Sequence, residues 1–272
     1  MSQYEKIALI ATYLKSKVNC NPKIGIILGS GLGGLVDSVN ITAEIHYKDI
    51  PDFPVSTVEG HAGNMVFGTL GNKEVVMMAG RFHYYEGYAM EDVTLPVRLM
   101  KALGVQTLFL SNAAGGMNPT FKVGDIMIIN DHINLFPEHP LRGPNDERWG
   151  TRFPDMSEPY SHKLLSLARQ IAIDNNINIK EGTYVGLQGP TFETPAEYKW
   201  LHVIGGDAVG MSTVPENIVA KHCGMDVFAA SIITDLGVVG IVHKVSHEEV
   251  LAAANAAAPK LARLVSTIIE KM

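Results

Sequence analysis

The chain predicts a single α/β domain built on a twisted, mixed, largely parallel central sheet flanked by helices. Three observations carry that expectation. Short apolar runs alternate with longer segments of helical period. A hydrophobic share of 46% against 18% charged residues supplies a large core. No internal repeat, low-complexity tract or Ser/Gly linker divides the 272 residues, so one domain is expected over 1–272.

The strands are read from apolar runs at 24–28, 65–70, 75–79, 108–111, 126–130, 184–187 and 227–233. Helical spacing marks 93–103, 162–175, 196–203, 216–222 and 248–271, and also runs through 1–17. Thr194-Pro195-Ala196-Glu197 starts a helix by mechanism: a capping hydroxyl, proline at the first helical position, and glutamate placed to reach back. Thr213 to Glu216 and Ser246 to Glu249 repeat the pattern. Gly71-Asn72 between two apolar runs predicts a hairpin, and hence some antiparallel pairing. From Asp131 to Tyr160 the chain is rich in Pro, His, Arg and aromatics without a period. Irregular stretches this long usually cover a site or a subunit contact.

Charge and cysteine content narrow the function. A formal net charge of -6 argues against nucleic acid and anionic membranes as partners, though not against a small anion in a locally positive pocket. Cys20 and Cys223 fit neither a metal spacing nor a CxxC pair, so reduced thiols in a cytoplasmic protein are expected. No stretch approaches the roughly 20 apolar residues that span a bilayer, and the N-terminus lacks the apolar run of a signal peptide.

The chemistry-bearing segments follow strands. Ile24 to Leu28 runs into Gly29-Ser30-Gly31-Leu32-Gly33-Gly34, where backbone N–H groups can cradle an anion. Gly29, Gly31 and Gly34 also satisfy G-x-G-x-x-G, with Asp49 at about the distance of a ribose-binding acid. On this motif alone, a phosphate site, an NAD site of a dehydrogenase and a turn without a ligand stand level. The Ser30 hydroxyl favours a compact phosphate, and the absence of Gly-Lys-Ser/Thr excludes a Walker loop. Arg81 and His83 leave a strand end on one face, with Tyr85 continuing it. Arg81 can hold two oxygens of one phosphate in a fork, and His83 can donate another hydrogen bond. Asn112-Ala113-Ala114-Gly115-Gly116 ends another strand in small residues, and Gly60-His61-Ala62-Gly63 makes a third histidine-bearing loop.

Taken together these segments resemble the trimeric purine nucleoside phosphorylases. The likeness continues through Gly189 to Thr194, Gly210 to Glu216 and His247 to Val250, and spans nearly the whole chain. It implies a phosphate site of Ser30, His61, Arg81, His83, Ala113 and Ser212, with Ala113 acting through its N–H. It implies ribose contacts from Tyr85, Met211 and His247, with Tyr184 close by, and Phe153 entering the site of a neighbouring subunit in a homotrimer. The purine would meet Phe192, Glu193, Val209, Thr234 and Asp235, and the catalytic roles would fall to His83, Glu193 and Asp235. No metal, nucleotide cofactor or covalent nucleophile is implied; inorganic phosphate is a co-substrate.

One departure stands out. Relatives that prefer inosine and guanosine carry asparagine in the Thr-Asn pair where this chain reads Thr234-Asp235. An amide can donate to a six-oxygen, whereas an ionised aspartate accepts from a six-amino group, as in phosphorylases acting on adenosine or methylthioadenosine. Glu193 pulls the other way, because a carboxylate accepts from the N1–H of a 6-oxopurine. Phosphorolysis mainly of inosine and guanosine, with weakened discrimination against adenosine, is the expectation. A hydrolase would leave the anion ligands idle, and a nucleoside-binding module without catalysis is compatible with the same residues.

Overall fold

The structure is a computed structural model and describes residues 1–30, 33–58, 62–238, the backbone of 241–242, and 244–272. In chain order its elements are α1 (Gln3–Lys17), β1 (Ile24–Ile27), β2 (Asn40–His46), β3 (Asn64–Leu70), β4 (Lys73–Ala79), α2 (Met90–Leu103), β5 (Thr107–Gly116) and β6 (Ile126–Asn134). They continue with α3 (His162–Asp174), β7 (Ile179–Gly186), α4 (Pro195–Val203), β8 (Ala208–Gly210), α5 (Val214–His222), β9 (Asp226–Val238), β10 (Ile241–Val242) and α6 (His247–Lys271).

All ten strands join one sheet in the order β10-β9-β6-β7-β8-β5-β1-β4-β3-β2. The central pairs β4–β1, β1–β5 and β5–β9 are parallel. The margins and the β5–β8 and β6–β9 contacts are antiparallel. The sheet is therefore evenly mixed around a parallel centre. Because β9 also pairs with β5, strands β5, β9, β6, β7 and β8 close a ring at one end of the sheet. β1 is buried at every position, and β3 at all but Thr69, as expected of strands covered on both faces. The edge strand β2 has no buried position, and its alternation of polar residues with Ile41, Ala43 and Ile45 offers no continuous apolar run.

The expected punctuation is present. Leu70 pairs with Lys73 across Gly71 and Asn72, both at positive φ, as a two-residue hairpin turn requires. The Thr194 hydroxyl accepts from the Glu197 N–H at 3.2 Å, and Glu197 Oε2 accepts from the Thr194 N–H at 2.7 Å. Ser246 and Glu249 cap α6 likewise at 3.3 and 3.0 Å.

Candidate active site

A cavity of about 490 Å³, within the range of small-molecule sites, opens where β1, β4, β5, β8 and β9 end. Ser30, Arg81, His83, Ala113 and Ser212 line it, as do Tyr85, Met211, His247, Phe192, Glu193, Val209, Thr234 and Asp235. Residues scattered over more than two hundred positions thus share one wall. His61 falls outside the described residues.

The chain after β4 shows why side chains two apart share the site. Arg81 and His83 face the cavity, whereas Phe82 is buried against Tyr47, Phe53 and Tyr88 at centroid distances of 5.5, 5.6 and 5.8 Å. Tyr85 reaches the same cavity by another route. Tyr84–Glu86 is a 3-10 turn, which brings the Tyr85 ring onto that of His83 at 4.8 Å.

At this end the arginine is locked. Arg81 Nε and Nη2 donate to Glu216 Oε1 and Oε2 at 3.0 and 3.1 Å, and Nη1 donates to the Ser111 carbonyl. One edge of the guanidinium, Nε and Nη2, is thus set on a buried carboxylate, and the group stands at the cavity as a positive charge held in place. Gly29 makes room for this: a Cβ there would lie 2.8 Å from Asn112 Cα and 3.0 Å from Arg81 Nη1. Glu216 also accepts from the Thr213 N–H at 2.9 Å. Thr213 has φ 69° and ψ -50°, and the Val214 N–H donates to the Ser212 carbonyl at 2.7 Å, a tight γ-turn. Such strain costs about 1–3 kcal/mol and here sets Ser212 at the cavity wall. The Thr213 hydroxyl is fixed by Asn112 Nδ2, 2.8 Å away.

His83 is fixed through Glu86. Glu86 Oε1 accepts from the His83 N–H at 2.7 Å and lies 3.2 Å from Nδ1, while Oε2 accepts from the Thr57 N–H and hydroxyl at 2.8 and 2.7 Å. Burial pushes the Glu86 carboxyl up, but the bonds from His83 and Thr57 outweigh it and bring it down to about 2. An ionised carboxylate only accepts, so Nδ1 carries the imidazole proton. Burial also lowers the pKa of His83 and favours its neutral form. The neutral ring then presents a lone pair at Nε2. A neutral ring can accept there from the hydroxyl of a protonated phosphate, and a protonated ring can donate.

The other end is acidic. Thr234 Oγ1 donates to Asp235 Oδ1 at 3.0 Å, and the Tyr198 hydroxyl donates to Oδ2 at 3.1 Å. Burial raises the pKa of Asp235 and of Glu193, and the charge of Asp235 adds to the effect on Glu193. Thr234 and Asp235 are consecutive yet both line the cavity, which regular strand alternation forbids. The β5–β9 ladder runs in register from Thr107 and Asp226 to Ala114 and Ile233, then pairs Gly115 with Asp235. Thr234 is the extra residue of a bulge.

Two expected ribose residues stand elsewhere in this chain. Tyr184 is fully buried behind the wall, where its hydroxyl accepts from the Ser212 N–H at 3.4 Å. It supports Ser212 and does not line the cavity. Phe153 is 86% exposed and lies with Arg152, His139 and Met156 on a different surface. The irregular segment around it is ordered by contacts of its own, among them Arg152 Nη1 to the Leu141 carbonyl at 2.9 Å and Asn145 Nδ2 to the Gly150 carbonyl at 3.0 Å.

The NAD alternative fails on architecture. The glycine turn leads to the 3-10 turn Gly33–Ser38 and the antiparallel edge strand β2, where a dinucleotide site requires an α-helix inside a βαβ unit. Asp49 ends the 3-10 turn Tyr47–Asp49. Among the described residues no group of three or more His, Cys, Asp or Glu is placed to hold a metal ion.

Motif reading passed over Glu86, Glu216, Thr57 and Tyr198. Glu216 lies inside a quoted motif as a helix cap, Glu86 follows Tyr85 without a signal of its own, and the capping signature of α4 says nothing about the Tyr198 hydroxyl.

The fold and cavity define a class that comparison with known proteins confirms: residues 23–270 match the phosphorylase superfamily. A purine nucleoside phosphorylase 1 of Geobacillus stearothermophilus is 52% identical over 262 residues, covering 96% of each chain. The solved Schistosoma mansoni purine nucleoside phosphorylase in complex with adenosine superimposes with a TM-score of 0.94, at 46% identity, over 98% of this chain and 97% of that one. A Schistosoma mansoni purine nucleoside phosphorylase in complex with inosine gives 0.93 at 44% identity, over 98% and 96%. The chain belongs to the purine nucleoside phosphorylase family of that superfamily.

Proposed function

We propose that the chain cleaves purine ribonucleosides and deoxyribonucleosides with inorganic phosphate, releasing the free base and the pentose 1-phosphate. One observation carries this: a single cavity joins an anion-binding end, built on Arg81, Ser30, Ala113, Ser212 and His83, to an end bearing Glu193 and Asp235. In the reaction a phosphate oxygen bonds to C1′ as the C1′–N9 bond breaks, and the bonding pair leaves with the purine. His83 accepts the phosphate hydroxyl and orients the attacking oxygen. A protonated Asp235 donates to the charge gathering on the purine, and positioning supplies most of the acceleration. Phosphate is the co-substrate, and no metal or nucleotide cofactor takes part.

Inosine and guanosine are the main substrates, with adenosine a weaker third. Glu193 favours the 6-oxopurines, and the raised proton affinity of Asp235 lets it act as a donor toward them. The adenosine and inosine complexes of Schistosoma relatives support a scaffold tolerant of both six-substituents. The working unit is a cytoplasmic homotrimer in which the exposed Phe153 closes the ribose part of a neighbouring cavity. No helix among the described residues is long and apolar enough to cross a membrane.

The test is base release from inosine, guanosine and adenosine with and without phosphate. Release should require phosphate and yield pentose 1-phosphate; release in its absence would sink the reading. Phe153→Ala should raise the nucleoside KM while leaving phosphate saturation nearly unchanged, and sedimentation should give a trimer.

A further inference from the structure

Asp235 meets a donor at each of its oxygens. Thr234 Oγ1 donates to Oδ1 at 3.0 Å, and the Tyr198 hydroxyl donates to Oδ2 at 3.1 Å. Thr234 precedes Asp235 on β9, but Tyr198 comes from α4, so the second bond ties two separate elements together. The tyrosine is only 2% exposed and packs with Met117, Val185, Leu201 and Val209. Two glycines cut its slot. A Cβ on Gly237 would run into the Tyr198 ring, and one on Gly115 would lie 3.2 Å from the Tyr198 hydroxyl and 3.0 Å from Asp235 Oδ2. The backbone is thus bare on the two sides where the phenol passes to reach the carboxyl.

Donors on both oxygens fix the plane of a carboxyl and stabilise its ionised form. An ionised carboxylate only accepts, and each bonded oxygen keeps a second lone pair. That is the pattern a 6-amino group requires. Burial alone would favour a protonated Asp235, a donor suited to a six-oxygen. Glu193, ahead of α4 on the same cavity, is the other carboxyl at this end, and burial raises its pKa as well. We propose that Tyr198 is a positioning residue: through its bond to Oδ2 it holds Asp235 as an acceptor at the six-position, and so admits 6-aminopurines to a cavity that otherwise prefers 6-oxopurines. It acts through Asp235 and does not itself line the cavity.

The inference rests on the placement of Asp235 at the six-position, and the variants separate the two. Tyr198→Phe keeps the ring and removes the donor. The measurement is the ratio of kcat/KM for adenosine to that for inosine, taken between about pH 5 and 8, where folded proteins are most stable. At the acid end the ratio should fall about tenfold, the value of one hydrogen bond to a charged group. One decade equals one pKa unit, so the profile should move up by about one pH unit and the deficit should close toward the alkaline end. In Asp235→Asn, which cannot ionise, the ratio should fall as well, and adding Tyr198→Phe should change it by less than about twofold. If Tyr198→Phe leaves the ratio unmoved, lowers it equally at every pH, or lowers it equally in Asp235→Asn, the inference is overturned and Tyr198 is packing alone. If Asp235→Asn itself leaves the ratio unmoved, the placement of Asp235 is wrong and the inference falls with it.

Discussion

The two ends of the cavity solve opposite problems. At the end proposed for phosphate each ionisable group is tied to a fixed partner: Arg81 is forked to Glu216, and His83 is held by Glu86, which Thr57 holds in turn. At the other end like joins like: the carboxyls of Glu193 and Asp235 line the same cavity, and the Tyr198 hydroxyl donates to Asp235. The first arrangement has one low-energy state and suits a ligand that never changes. The second turns on where a proton sits, since burial favours the protonated form of both carboxyls.

The largest expected effect breaks the fixed end. Glu216→Ala leaves a buried guanidinium without its carboxylate, a loss of about 3–5 kcal/mol in equilibrium unfolding. It also frees the Ser212 turn, so the phosphate KM should rise by on the order of 10²-fold, since small misplacements cost that much. A variant within about 1 kcal/mol of the parent would show that other contacts hold Arg81.

At the adaptable end the effect is on choice. Asp235→Asn should raise the inosine preference over adenosine by roughly ten- to a hundredfold, since one unpaired buried polar group costs about 1–3 kcal/mol. Competition between the two nucleosides in one reaction measures this directly. Equal losses for both would remove Asp235 from the six-position.

The smallest effect is on stability against pH. Burial raises the folded-state pKa of Glu193 above its unfolded value. A carboxyl raised in this way adds stability below the unfolded pKa and loses it as pH rises through the folded one. Glu193→Gln should therefore melt above the parent at pH 8, by about 2–4 °C for a gain near 1 kcal/mol. That gap should close below about pH 4, where both states are protonated. An equal gap at both pH values would assign it to packing.

Much of this molecule is legible before folding. Apolar runs place the central strands, capping residues place α4 and α6, and clustered motifs name most of the cavity wall. Three kinds of feature escape. β2 alternates polar and apolar residues with no continuous apolar run, and β8 is a three-residue piece. Groups that act through another residue, such as Glu216 behind Arg81, look like ordinary helix caps. A guanidinium offers its fork to any anion, and the sequence does not say that Glu216 takes the Nε edge of Arg81. The place of Tyr184, buried behind the wall with its hydroxyl on the Ser212 N–H, likewise depends on packing that no local spacing encodes.

The bulge at Thr234 has a consequence for how such a protein can change. In a regular strand, neighbouring side chains belong to opposite faces, so altering two adjacent residues disturbs a site and a core together. The extra residue between Ile233 and Asp235 uncouples them. Positions 234 and 235 can be exchanged without shifting the backbone ladder on either side. Base preference is thereby open to single substitutions while the strands that carry phosphate binding stay as they are.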